Sequence, residues 1–412
     1  MFNPKTIRKD FPIFGNFEKE EGRPLVYLDS SASSQTPQSV IDAMNGYYTE
    51  FRSNIDRGTG KLSSRATNTF EEARALTAKF INCSPEEIIF THGSTDSANI
   101  VVRMLAQKLR LGPGDRIVTT IADHHSNLLP LQILAKETGA ELVFAGLTPN
   151  NDLDYEEAEN LINQKTKIVS VPLASNVLGT VFDVGRLAHK AFRSGALVLV
   201  DATAAAGHIR IDVKELSADA LYFGAHKMCG PTGVGVLYVR KELLEKMEPV
   251  TYGGGAIMHV TKDDVTWRKD VKRFEPGTPN IAGVIGFGEA LRYLESLGIN
   301  IIKTYLQDIV KYAIDELKKI PGVILYAEQD PRNNVGIVSF TVKGIHPHDL
   351  AEILSRDGIV IRTGHHCAEP LMEALGQTAL ARASFYLYNN REDVDALVAG
   401  IKKSKEIFGL IR

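Results

Sequence analysis

The chain has 412 residues, 44% of them hydrophobic and 24% charged, with a formal net charge of −3; this is room for one large domain and a smaller one. Lys and Arg are dispersed rather than blocked, which argues against a nucleic-acid role or a polybasic membrane contact. Only three cysteines occur, Cys83, Cys229 and Cys367, an odd and sparse set that excludes a disulfide framework and fits a reducing compartment. The opening Met1–Asp10 is polar and no run approaches membrane length, so the expected location is cytoplasmic.

Residues 1–25 read as an arm. Pro37–Phe51 and Ser63–Ile81 carry helical periodicity. From Glu87 to Arg240 strand and helix patterns alternate: Ile88–Phe90, a helix from Thr95, Arg116–Thr119, a helix from Asn127, Leu142–Phe144, Lys167–Val171, a helix over Val184–Arg193, then the apolar run Ala196–Val200 and a further strand over Ala218–Phe223. Alternation of this kind predicts an α/β fold with a mostly parallel sheet flanked by helices. Beyond Ile281 the order changes to two long helices, Ile281–Ser296 and Ile301–Ile320. Short strands (Val323–Leu325, Gly336–Val342, Val360–Arg362, Arg382–Tyr388) follow, with helices from Pro347 and Arg391. We expect an arm over 1–25, a large domain over 26–281 and a smaller α+β domain over 282–412.

Two positions stand out chemically. Lys227 follows an apolar strand and precedes the turn Gly230-Pro-Thr-Gly233. Burial disfavours an ammonium, so a lysine there becomes a nucleophilic amine able to form a Schiff base. His226 and the glycine turn can supply donors to an anionic group close by. A Schiff-base lysine beside a phosphate site suggests pyridoxal 5′-phosphate. Asp201 ends the buried run Ala196–Val200, where open α/β sheets place their ligands. A carboxylate there suits the cofactor's pyridinium nitrogen.

With these come Tyr27-Leu-Asp-Ser-Ser-Ala32, Gly93-Ser-Thr-Asp-Ser-Ala-Asn99, Asp123-His-His-Ser-Asn127, Ser175-Asn-Val-Leu-Gly-Thr180, Arg273-Phe-Glu-Pro-Gly-Thr-Pro-Asn280, Arg362-Thr-Gly-His-His-Cys-Ala368 and Arg382-Ala-Ser. The set resembles the class V, fold type I pyridoxal-phosphate enzymes, and within them the group II, Suf-type cysteine desulfurases, over nearly the whole chain. The resemblance implies that Ser94, Thr95 and His226 hold the cofactor phosphate and that Thr278 reaches it across a homodimer interface. It implies that His124 stacks on the ring, that Asn176 lies near the phenolic oxygen and the substrate carboxylate, and that Arg382, with Arg362, binds that carboxylate. Gly93-Ser-Thr-Asp96 also suits a plain helix cap, and both roles can hold at once.

Cys367 would choose the reaction. Cations in Arg362-Thr-Gly-His-His should raise its thiolate fraction. Adjacent His365, His366 and Cys367 cannot readily converge on one ion, so no metal is expected. Cys83 and Cys229 read as packing residues, and His125 as a solvent-facing loop histidine. The implied activity converts L-cysteine to L-alanine, leaves a persulfide on Cys367 and passes the sulfur to an acceptor protein for iron–sulfur cluster assembly. The same residues would support a selenocysteine lyase, and another class V lyase need not use Cys367. A degenerate, non-catalytic regulator of sulfur transfer draws its support from the departures. Ala204 stands where the family usually has Gln, Gly224 where it has Ser, Asp56, Gly60 and Leu173 where it has His.

Overall fold

A computed structural model describes residues 2–410. Seven strands make the central sheet: β1 (Ile88–Thr91), β2 (Arg116–Thr120), β3 (Glu141–Ala145), β4 (Thr166–Pro172), β5 (Leu197–Asp201), β6 (Ala220–Gly224) and β7 (Gly235–Val239). Their spatial order is β1-β7-β6-β5-β4-β2-β3. All neighbours are parallel except β7, which runs antiparallel to both β1 and β6. Strands β5, β6 and β7 read as unbroken apolar runs because helices cover both faces of such a sheet. β7 was not anticipated as an element; its run Gly-Val-Leu-Tyr-Val is wholly buried.

Parallel order has one consequence for function. The carboxyl ends of β2, β4, β5 and β6 come out on the same edge, together with the turn that leaves β1, and ligands bind beyond such ends. Helix Ser94–Leu109 follows β1, helix His125–Thr138 follows β2, and a single helical turn, Ala225–Lys227, follows β6. Segments far apart in sequence therefore converge on one crevice.

A second sheet of four strands lies in the C-terminal part, with Ile337–Val342 and Leu380–Ser384 at its centre and Val323–Leu325 and Arg362–Gly364 at its edges. The pair Val26–Tyr27 joins Ile359–Val360 in parallel, and Asp29 bridges to Ser384. Helix Ile281–Leu297 packs on Gln38–Glu50 and Lys61–Ile81. Its Gly286 and Gly288 face Met44 and Ala73, where an added Cβ would lie 2.6 and 2.8 Å from side-chain atoms. The arm holds the helices Pro4–Ile7 and Pro12–Glu21. It is fastened by Phe11 and Phe14 against Tyr388, at ring distances of 4.9 and 5.2 Å, and by the Arg8–Asp393 ion pair. An antiparallel hairpin, Ile257–Val260 with Val265–Trp267, stands apart from both sheets and exposes Met258 and Val260. Neither it nor the arm helices were legible as elements in the sequence.

Candidate active site

Beyond the strand ends lies a cavity of about 240 Å³. Ten of the eleven residues expected at a site line it: Ser94, Thr95, His124, Asn176, Asp201, His226, Lys227, Arg362, Cys367 and Arg382. Thr278 does not. It lines a separate surface cleft with residues 54–57, Gly254, Gly255 and Lys272.

Lys227 is carried on the turn after β6, and burial, helped by the Arg382 charge, brings its amine down to about 8. Asp201, the last residue of β5, is buried and accepts from the Thr203 backbone N–H at 2.8 Å. Desolvation raises its pKa, against the pull of Thr203 and Lys227. The loop after Asp201 closes tightly on the Lys227 turn at Gly207. With φ +81, a Cβ there would fall 2.6 Å from the Met228 Cβ and 2.8 Å from the Tyr386 hydroxyl, so only glycine fits.

Helix Ser94–Leu109 begins after Gly93 and no side chain caps it. Its first N–H groups and positive dipole end therefore face the cavity mouth free, an anion site. His124 caps the neighbouring helix, its Nδ1 accepting from the Ser126 N–H at 3.0 Å. The proton then sits on Nε2, and burial pushes the ring down to about 3, so it is neutral. His226 is likewise neutral, lowered by burial to about 4.

Arg382 rises from the second sheet. Its Nη1 donates to the Asn176 carbonyl at 2.8 Å, and its Nη2 reaches Asp29 at 3.4 Å. Arg362 is more exposed and lies 3.8 Å from Asp29. Cys367 is exposed and sits, with His366, at positive φ (55° and 54°). Two successive non-glycine residues in that region need outside support. The Asn176 amide donates to the His366 carbonyl, and the His125 N–H donates to the Cys367 carbonyl, both at 2.8 Å.

Two expectations for this loop need correction. His366 is not a cation beside the thiol: it is buried, its Nε2 meets the Leu380 carbonyl at 3.1 Å, and burial lowers it to about 3. His125 is not a free loop residue: it opens the helix after β2, contacts the Glu369 carboxylate and stacks on His365. Sequence reasoning missed both because each ring's surroundings come from another segment, 244 positions away for His125 and 14 for His366. Burial raises the thiol pKa of Cys83 and Cys229 strongly, as suits packing residues. Among the described residues, no group of three His, Cys, Asp or Glu is placed to hold a metal.

Among the described residues six buried side-chain N or O atoms have no hydrogen-bond partner, and four line this cavity: Ser31 Oγ, Thr203 Oγ1, His366 Nδ1 and Arg382 Nε. Orphaned polar groups are rare in native interiors. A buried amine, a buried carboxylate, an uncapped helix start and four orphans in one cavity fit a small, anionic, carbonyl-bearing aromatic group.

The class-V aminotransferase family matches residues 26–397. A probable cysteine desulfurase from Halalkalibacterium halodurans is 47% identical over 408 residues, 99% of either chain, and one from Staphylococcus aureus is 44% identical over 99% of this chain and 98% of that one. Among solved structures, the apo cysteine desulfurase from Thermococcus onnurineus NA1 superposes with a TM-score of 0.92 at 40% identity, covering 98% of each chain. The cysteine desulfurase CsdA from Escherichia coli, in an S-sulfonic acid form, gives 0.91 at 36% identity over 99% of each. The fold and the site thus define a fold type I enzyme dependent on pyridoxal 5′-phosphate. The chain belongs to the class-V aminotransferase family.

Proposed function

We propose that this protein is a cysteine desulfurase that takes sulfur from L-cysteine, leaves L-alanine and carries the sulfur as a persulfide on Cys367. One observation carries the reading: an exposed thiol on a loop braced at positive φ opens into the same cavity as the buried Lys227 amine. Bound pyridoxal phosphate supplies an electron sink for carbanions next to the substrate amine. In this reading Ser94, Thr95 and His226 would hold the phosphate, Asp201 would partner the ring nitrogen and His124 would pack on the ring; all line the one cavity.

The protein's own residues do the rest. Arg382 and Arg362 bind the substrate carboxylate, with Asn176 at its side. Arg382 is suited to it because Nε has no protein partner and Asp29 stands at a long 3.4 Å. The neutral Lys227 amine takes the Cα proton as general base. The Cys367 thiolate attacks the substrate sulfur: an S–S bond forms, the Cβ–S bond breaks, and its electron pair stays with Cβ, which is protonated, while Lys227 returns a proton to Cα to give alanine. A sulfur-acceptor protein takes the persulfide sulfur, and iron–sulfur cluster assembly is its destination.

The reading includes a homodimer. Thr278 lies outside the Lys227 cavity in its own chain, in a cleft beside Asp56 and Gly254, which supports a role across an interface. The hairpin residues Met258 and Val260, with Tyr252, are large apolar groups left exposed. It also includes an arm over 1–25, a large body over 26–281 and a smaller one over 282–412. No helix of the described chain is long and apolar enough to cross a membrane; a cytoplasmic location belongs to the proposal.

The test is Cys367→Ser. The variant should keep the cofactor and still bind L-cysteine, yet neither release sulfide at the wild-type rate nor accumulate a protein persulfide. Retained sulfur release would move the assignment to another class V reaction. Retained selenium release from L-selenocysteine, with sulfur release lost, would add a selenocysteine lyase activity on the same residues.

A further inference from the structure

Behind the cavity lies a buried polar chain that the proposed reaction does not use. Asp201 on β5 and Tyr222 on β6 are paired directly in register. That register sets the Tyr222 side chain beside the Asp201 carboxylate on one face of the sheet, and its hydroxyl donates to Asn127 Oδ1 at 2.8 Å. Asn127 Nδ2 in turn donates to Asp123 Oδ1 at 2.8 Å. Asp123 also accepts from the Thr120 N–H at 3.2 Å and from the Thr119 hydroxyl. Asp123, Asn127 and Tyr222 are each at most 1% exposed. The remaining neighbour is Ser170 on β4, whose hydroxyl lies 2.9 Å from Asn127 Nδ2 and 3.1 Å from Asn127 Oδ1.

Counting protons along this chain gives two self-consistent arrangements. With Asp123 ionised, the Asn127 amide donates to it, the Tyr222 hydroxyl donates to Asn127 Oδ1, and Asp201 receives nothing from Tyr222. With Asp123 protonated, its O–H must find an acceptor, which is Asn127 Oδ1 after a half-turn of the amide. The Asn127 N–H then points at the Tyr222 oxygen, and the Tyr222 proton turns to Asp201. The two differ by one proton taken up from water, with no bond to carbon made or broken. Ser170, near-equidistant from both amide atoms, can serve either orientation as donor or acceptor.

We propose that Asp123, Asn127 and Tyr222 form a proton-coupled hydrogen-bond relay that sets how much negative charge Asp201 presents to the cofactor. A proton on Asp123 places a hydrogen bond on Asp201 and weakens its hold on a ring-nitrogen proton; loss of that proton withdraws the bond and strengthens the hold. Asp123 is poised for this, raised by burial to about 7 against the pull of Thr119, Asn127 and the Thr120 N–H. The charged group acting on it is Asp201, across the relay. Asp201 itself faces the side chain and N–H of Thr203, Lys227 and Tyr222. Asp123, Asn127 and Tyr222 are positioning residues, and the proposal rests on the reading of Asp201 as the partner of the ring nitrogen.

The experiment is a pH titration of the visible absorbance of the holoprotein, without substrate, in five forms: wild type, Asp201→Asn, Asp123→Asn, Tyr222→Phe and the Asp123→Asn/Tyr222→Phe pair. The wild-type band should shift with a midpoint near pH 7. Asp123→Asn should lose the shift and hold the acid-form spectrum at all pH, because its amide donates as the protonated acid does. Tyr222→Phe should also lose the shift, and the double variant should match Tyr222→Phe alone. A shift that survives in Tyr222→Phe would mean that Asp123 acts through space, and would overturn the relay. Asp201→Asn separates the premises: an unchanged spectrum there would overturn the ring-nitrogen reading and the relay with it. If Tyr222→Phe does not fold, infrared difference spectra of the unmutated holoprotein decide. A protonated-carboxyl band should disappear with the same midpoint as the visible shift and be missing in Asp123→Asn; unequal midpoints overturn the proposal.

Discussion

Two buried arginines are built for opposite ends. Arg74 is 2% exposed and Arg382 is 4% exposed. Arg74 holds Glu275 through both terminal nitrogens at 2.8 and 2.9 Å, Glu71 through Nε at 2.9 Å, and the Ile88 carbonyl at 2.8 Å. The faces of Phe70 and Phe90 flank its guanidinium. These partners raise its pKa above the usual arginine value. Arg382 has one carboxylate at 3.4 Å, one carbonyl, and an Nε with nothing to donate to, and burial lowers its pKa. The first arginine is saturated and ties helix Lys61–Ile81 to β1 and to Glu275. The second is left partly unpaired at the floor of a cavity, with charge in reserve for an incoming carboxylate. Buried charge is costly unless paired, so an unpaired one marks where a ligand completes the structure.

The largest effect that can break this contrast is on stability. Arg74→Leu leaves Glu275 buried without its partner and should cost about 3–5 kcal/mol in denaturant unfolding. Removing Glu275 as well, as Arg74→Leu/Glu275→Leu, should recover much of it. If Arg74→Leu unfolds no more easily than Arg382→Leu, the two sites are not different in kind.

Arg382→Leu should do the reverse. It should change unfolding free energy by less than about 1 kcal/mol, because Asp29, already raised by burial, can take up a proton once its partner is gone. Binding of L-alanine, followed by the change in cofactor absorbance, should weaken by about 2–5 kcal/mol, the range for truncating one partner of a buried charge pair.

A third outcome sharpens the electrostatic side. The free amine of Lys227 is the form that captures the cofactor, so uptake by the apoprotein should accelerate as pH rises and level off above about pH 8. Arg382 helps hold that value down, so Arg382→Leu should move the midpoint upward. A midpoint that stays in place, or falls, would contradict the assignment of the neighbouring charge.

The smallest effects concern the family departures. Ala204→Gln, on the cavity wall, should slow cofactor loss on dialysis by about 1 kcal/mol of hydrogen-bond gain. Gly224→Ser should gain less. A Cβ there would sit 3.0 Å from His226 Nδ1 and 3.6 Å from the Ser94 N–H, so the His226 ring must give way before the hydroxyl can bond. Equal gains from both would show that His226 moves freely.

Much of the fold follows from local pattern. Apolar runs that end in Asp201 or precede His226-Lys227, and the alternation of such runs with helices, suffice for a parallel sheet whose carboxyl edge carries the chemistry, since strand and helix periodicities are properties of short segments. The lysine, the carboxylate, the helix starting at Ser94 and the Cys367 loop were legible because each carries its signal within a few residues. The arm helices were not, as their apolar residues acquire partners only in distant segments, Tyr293 and Tyr388. What tertiary structure alone decided is which charges are paired and which are left waiting. The resemblance singles out Arg382, but no local pattern says that Arg74 is paired through every nitrogen and Arg382 is not. Nothing around His366 says that its ring turns inward to Leu380 and stays neutral, nor around Tyr222 that it stands between Asp201 and Asn127. These properties depend on burial and on distances between separate segments, most of them far apart in the chain, and desolvation and pairing act through space rather than along the chain.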